Sequence, residues 1–133
     1  MHGLFAYGTL MCKDIMMEAA GCYPASCRGV LTGYSRHPIK GEVYPAIIPD
    51  EKGRVEGVLY FGISTQALER LDRFEGEMYS RQSVEIRLSD ETILPAETYV
   101  LRPEFLHHVD GTEWDFDNFL IHHKRSFRRD YNV

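Results

Sequence analysis

Glu75 is an acid at a helical position where a hydrophobic residue is expected. It lies in the stretch Ala67-Leu68-Glu69-Arg70-Leu71-Asp72-Arg73-Phe74-Glu75-Gly76. With Leu68 at zero and about 100° per residue, Leu71, Ala67 and Phe74 fall at roughly 300°, 260° and 240°, one apolar arc. Glu69, Arg70 and Arg73 take the far side at roughly 100° to 200°, and Asp72 sits at the edge near about 40°. Glu75 lands near about 340°, inside the apolar arc. As the last residue before Gly76, a helix-stop residue, its side chain can swing out to water. Alternatively the carboxylate is partly buried, and then desolvation and the negative helix end both raise its pKa. An acid poised near neutrality can take and return a proton, which is what general acid–base catalysis requires. Periodicity leaves both readings open.

A second candidate is Phe5-Ala6-Tyr7-Gly8-Thr9-Leu10, a strand that ends at Gly8 and runs within a few residues into a helix. Glycine at such a junction permits a tight turn and the close approach of a ligand. The N–H groups that follow point outward and can bind a carboxylate or oxyanion. An ordinary strand-to-helix turn has the same composition. Neither G-x-x-x-x-G-K-[ST] nor G-x-G-x-x-G is present, so the segment is not a phosphate loop. Nucleophilic chemistry has two weaker candidates. Ser35 and His37 share one face of an extended stretch, with no third orienting group evident and no G-x-S-x-G elbow. Cys12 lies near a helix start, which lowers a thiol pKa, but it also reads as a small core residue.

Other chemistries find less support. Cys12, Cys22 and Cys27 are odd in number and lack C-x-x-C spacing, against both a disulfide framework and a zinc knuckle. The pairs His107-His108 and His122-His123 point neighbouring side chains apart, whereas ligands on one helical face need a spacing of three or four. No metal site is therefore expected. The net charge of −5 gives no general attraction to nucleic acid. The one basic cluster, Lys124, Arg125, Arg128 and Arg129, reads as a solvated helix end. No apolar run long enough to span a membrane and no signal-peptide pattern occurs, so a cytoplasmic protein without membrane partners is expected.

The elements that must position these residues follow from pattern. At 133 residues, 44% hydrophobic and 26% charged, residues 1–133 fit one globular domain with its own core. Strands are expected over His2 to Tyr7, Ser26 to Tyr34, Tyr44 to Ile48 and Val55 to Ile63, with turn chemistry at Pro49-Asp50-Glu51-Lys52-Gly53. Met11 to Ala20 reads as a helix stopped by Gly21, and Ser64 as the N-cap of the helix carrying Glu75. Tyr79 to Leu88 and Thr92 to Leu101 read as a hairpin turning at Ser89-Asp90-Glu91. Phe116, Phe119, Leu120 and Phe127 place one amphipathic helix over about 114–131, packed on the rest. Six or so short strands with interleaved helices imply an α+β fold, a small mixed β-barrel or strongly curved sheet flanked by helices. Long crossover helices are too few for a doubly wound parallel sheet.

The motifs, taken in order, carry a resemblance. Phe5-Ala6-Tyr7-Gly8-Thr9-Leu10-Met11 resembles the Y-G-[ST]-L loop near the N-terminus of gamma-glutamylcyclotransferase-like proteins. Leu71-Asp72-Arg73-Phe74-Glu75-Gly76 with Tyr79 and Arg81 resembles their L-D-x-[FL]-E-G-x-x-Y-x-R segment. Gly33-Tyr34, Gly41-Glu42-Val43-Tyr44-Pro45-Ala46 and Val55-Glu56-Gly57 are similar to the branch holding plant avirulence-induced proteins and gamma-glutamylamine cyclotransferases. The likeness spans about residues 3 to 102. After Leu10 the chain reads Met11-Cys12-Lys13 where some gamma-glutamylamine enzymes have Lys-Arg-Gly.

The resemblance implies a curved sheet or barrel with a cavity at one end, and a small-molecule gamma-glutamyl substrate. The backbone of Tyr7, Gly8, Thr9 and Leu10 would hold the glutamyl α-carboxylate. Glu75 would pass a proton from the α-amine to the departing amine, releasing 5-oxoproline without a cofactor. As substrate contacts, Tyr79 and Tyr99 would serve as walls or hydroxyl partners and Arg81 would pair with a carboxylate; packing or a surface ion pair is the alternative for each. The alternatives are a binding protein using the same cavity without turnover, and a cysteine acyltransferase or hydrolase.

Overall fold

The computed structural model describes residues 2–133. Five strands close into a barrel in the order β1-β3-β2-β4-β5. They are β1 (His2–Ala6), β2 (Ser26–Pro38), β3 (Pro45–Ile63), β4 (Tyr79–Arg87) and β5 (Ile93–Leu101). All neighbours run antiparallel except β1 and β5, which are parallel where Leu4 faces Glu97, so the barrel is mixed, as expected from the sequence. Four helices flank it: α1 (Lys13–Ala20), α2 (Thr65–Glu75), α3 (Phe116–His122) and α4 (Lys124–Tyr131). Short 3-10 turns at Thr9–Met11 and Pro103–His108 complete the chain.

Alternation along β1 sorts its side chains between two apolar clusters. Leu4 and Ala6 join the cluster under the helices, with Ile15, Met16, Leu68 and Leu71. Phe5 and Tyr7 point to the other cluster, with Leu31, Ile47, Leu59 and Ile86. Tyr7 therefore enters the site from inside the barrel, and the loop after it lies between barrel and helices.

Two expectations change. Pro49 to Gly53 is no chain reversal, because β3 runs unbroken through it and continues to pair with β2, from Tyr34↔Pro49 to Pro38↔Pro45. The turn residues serve a bend in this ribbon. The register shifts between Thr32 and Tyr34 around Gly33, whose φ of 87° favours glycine. Gly53 passes so close to the Tyr34 carbonyl that an added Cβ would lie 2.1 Å from its oxygen. Pro49 donates no ladder hydrogen bond, which a bulged ribbon tolerates.

The C-terminal helix is two helices. Asp115 caps α3, its Oδ1 accepting from the Asp117 and Asn118 N–H groups at 2.9 and 3.3 Å. His123 then leaves helical geometry (φ −128°, ψ −19°), and Ser126 Oγ donates to its carbonyl at 3.0 Å. Side-chain competition for backbone groups of this kind interrupts helices. The break lets Phe119 and Phe127 meet edge to face at 5.7 Å, both buried. The basic end of α4 is also tied down: Lys124 and Arg128 each reach Asp14 Oδ2 at 2.9 Å, joining α4 to α1.

Candidate active site

Ser64 starts α2 by accepting from the Ala67 N–H at 3.1 Å, and Gly76 (φ 83°) ends it. Between them Leu68 and Leu71 are fully buried, and Glu75 continues the same stripe four residues after Leu71. Its carboxyl borders a small cavity also lined by Tyr7, Gly8, Thr9, Leu10, Tyr44, Pro45, Tyr79 and Tyr99. Other clefts on the molecule are wider and more open, and Glu75 lines none of the four described. The cavity opens to solvent at its mouth, which leaves Glu75 half-buried as a residue. Burial pushes its carboxyl up to about 8, the negative charge of Asp72 acts in the same direction, and no hydrogen bond opposes them.

The loop opposite Glu75 is fixed through its carbonyls. Arg36 Nη1 donates to the Tyr7 carbonyl at 2.8 Å, and the Tyr60 hydroxyl donates to the Leu10 carbonyl at 2.6 Å. The 3-10 turn uses the N–H groups of Met11 and Cys12, which donate to the carbonyls of Gly8 and Thr9 at 3.0 and 3.1 Å. Among the described residues, the N–H groups of Gly8, Thr9 and Leu10 have no backbone acceptor. Gly8 is required by close approach: a Cβ there would sit 2.8 Å from Pro45 Cγ.

The tyrosines are walls whose hydroxyl hydrogens are already engaged. Tyr7 donates to the Tyr99 carbonyl at 2.6 Å, Tyr79 to the Pro45 carbonyl at 2.8 Å, and Tyr99 to Asp72 Oδ1 at 2.7 Å. Burial raises all three phenols above the ordinary tyrosine value, with Glu75 adding its charge to the effect. They stay neutral across the physiological range and keep only acceptor capacity for a ligand.

Arg81 does not line the cavity. Its guanidinium holds Asp72 through Nε–Oδ1 at 2.9 Å and Nη2–Oδ2 at 3.2 Å, and Glu97 Oε1 through Nη1 at 2.8 Å. The carboxylates Arg81 pairs with are those of the chain itself, the ion-pair alternative to a substrate contact. Burial alone would raise Asp72, but the hydrogen bonds from Arg81 and Tyr99 outweigh it and hold the acid below the usual range.

Sequence reasoning missed Asp72, Arg36 and Tyr60 as parts of the site. For Asp72 a signal existed, because it precedes Glu75 by three residues and so lies on nearly the same helical face. Arg36 and Tyr60 reach the loop from strands distant in sequence and left no local trace. Cys12 is buried, and burial pushes its thiol up to about 11, the opposite of activation. Among the described residues, no three His, Cys, Asp or Glu side chains cluster to hold a metal ion. No helix there is long and apolar enough to cross a membrane.

Comparison with known proteins accords with this geometry. Residues 4–116 match a family described as gamma-glutamyl cyclotransferase, AIG2-like. AIG2-like protein C of Arabidopsis thaliana is 37% identical over 127 residues, covering 95% of this chain and 73% of that protein. A solution structure of another Arabidopsis thaliana protein superposes with a TM-score of 0.71 at 30% identity, covering 98% of this chain and 87% of that one. A gamma-glutamyl cyclotransferase structure shares the fold, with a TM-score of 0.67 at 17% identity over 78% of this chain and 73% of its own.

Proposed function

The chain belongs to the gamma-glutamyl cyclotransferase, AIG2-like family, and on that premise we propose that it cyclises the gamma-glutamyl group of an amide or small peptide to 5-oxoproline, with Glu75 as the general acid–base. One observation carries this reading: a carboxyl raised to about 8 shares a small cavity with the backbone of Gly8 to Leu10.

The chemistry asks little of the protein beyond conformation and one proton. The free N–H groups of Gly8, Thr9 and Leu10 bind the glutamyl α-carboxylate, as backbone donors at a strand-to-turn junction do. The tyrosine walls fold the side chain so that its α-amine meets its own γ-carbonyl, which makes ring closure intramolecular and lowers its entropic cost. The ionised Glu75 takes a proton from the amine as the N–C bond of the ring forms. The same proton passes to the departing nitrogen as the amide C–N bond breaks. One acid serves both steps, and its raised pKa suits both, because the proton must be accepted and then surrendered near the working pH.

Asp72 and Arg81 support this from outside the cavity. Asp72 stays charged through Arg81, and its charge discourages ionisation of Glu75.

A panel of gamma-glutamyl amines and dipeptides, with 5-oxoproline as the product measured, tests the proposal. Turnover of at least one member is expected, and Glu75→Gln should lower it by roughly 10²- to 10⁴-fold, the usual contribution of a positioned acid–base. Recovery of every substrate intact, with binding retained, would favour capture without turnover. Full turnover by the Gln variant would remove Glu75 from the role.

A further inference from the structure

Ser35 and His37 lie on β2, two residues apart, and face the same way. Ser35 Oγ is 2.7 Å from His37 Nε2, and His37 Nδ1 is 2.7 Å from the Thr112 carbonyl oxygen. A carbonyl can only accept, so Nδ1 carries the ring hydrogen. In the neutral ring Nε2 then has a free lone pair, and the serine hydroxyl must be the donor to it. This is the arrangement of a nucleophile, its base and a group that orients the base.

Each part is held by the fold. Ser35 and His37 pair with Ile48 and Ala46 in the long ribbon of β2 and β3. The Thr112 loop is fastened to the end of that ribbon, because the Asp110 N–H donates to the Pro38 carbonyl at 2.9 Å and the Thr112 N–H donates to Asp110 Oδ1 at 2.9 Å. Ser35 and His37 border an open cleft with Arg36, Lys52, Gly53 and Trp114, and none of these residues lines the Glu75 cavity. Lys52 lines the same cleft, and among the described residues its ammonium has no ion-pair partner.

We propose that Ser35, His37 and the Thr112 carbonyl form a second nucleophilic centre, on the outer face of the barrel, that accepts the acyl group of a small, unhindered carboxylic ester. Ser35 Oγ bonds to the acyl carbon while His37 Nε2 takes the hydroxyl proton. The ester C–O bond breaks, and the alcohol leaves with that proton. Water then attacks the acyl-serine, giving one proton through His37, which releases the acid and restores the serine. This centre is independent of the cyclotransferase reading.

The test uses the full chain with an alkyl fluorophosphonate probe and with 4-nitrophenyl acetate. A single adduct is expected, on the peptide bearing Ser35. Ester turnover should fall by at least about 100-fold in Ser35→Ala and in His37→Asn, the loss expected when a general base is removed. Ser80→Ala, a serine on β4 outside both sites, should leave it unchanged. No adduct on Ser35, or an adduct that forms as fast in a folded His37→Asn variant, would overturn the proposal.

Discussion

Asp72 and Glu75 stand three residues apart on one helix and end in opposite electrostatic states. Asp72 accepts two hydrogen bonds from Arg81 and one from Tyr99, and is held ionised. Glu75 reaches the cavity with no such partner, and burial drives it toward its neutral form. Same chemistry, same helix; the difference lies in which partners the barrel supplies. β4 sends Arg81 to one acid, while the cavity walls turn their hydroxyl hydrogens onto backbone carbonyls and onto Asp72, leaving the other acid unmet. Titratable pairs whose surroundings drive them apart are where acid–base roles are assigned.

The sharpest way to break this contrast is to remove the ionisable group at Glu75 and follow stability. A carboxyl whose folded pKa (about 8) lies above its ordinary value of 4.5 holds its proton more tightly when folded. Between those values unfolding releases the proton, so native stability falls as pH rises through the window from about 4.5 to 8. Glu75→Gln escapes that loss. Denaturant unfolding should show the two proteins alike near pH 4.5 and the variant more stable at pH 9 by a few kcal/mol, at about 1.4 kcal/mol per pKa unit. Equal stability at pH 9 would mean that the carboxyl ionises without hindrance.

Altering the wall comes next. Gly8→Ala forces a methyl against Pro45, whose ring cannot swing aside and whose carbonyl anchors Tyr79. Overpacking of this kind costs roughly 1–3 kcal/mol. Thermal unfolding should register that loss, and kcat/KM should fall further than a surface glycine replacement such as Gly111→Ala, where a Cβ meets nothing within 4 Å.

The smallest effect is expected at the partnered acid. Asp72→Asn removes the charge that helps to raise Glu75 but leaves burial, the larger cause, in place. The rising limb of the pH profile of kcat/KM should therefore move to lower pH and stop short of the ordinary glutamate range. A limb displaced upward would contradict the assigned sign.

Much of this contrast was legible in the sequence, and the reasons divide by distance. Helical periodicity put Glu75 inside the apolar arc without deciding whether its carboxyl is buried, and the strand-to-turn composition of Tyr7 to Leu10 offered a loop that an ordinary turn would also explain. The partners of Asp72 were not legible, because Arg81 and Tyr99 come from β4 and β5 and meet α2 only through barrel closure. For the same reason sequence left open whether Arg81 contacts substrate or forms an ion pair, and its guanidinium pairs with Asp72 and Glu97. Pro49 to Gly53 misled because proline and glycine mark a sharp bend and a chain reversal alike. Only the pairing partner, a β2 continuing to Pro38, distinguishes the two. Ser35 and His37 lacked an orienting group in sequence since Thr112 arrives from 75 residues away.

The most direct measurement is a carbon NMR titration of the Glu75 carboxyl in the folded protein, with Asp72 followed in the same spectra. A Glu75 midpoint near 8 beside an Asp72 midpoint below the ordinary 3.8 is the expected result. A Glu75 midpoint near 4.5 would contradict the claim that the cavity holds a proton-bearing acid.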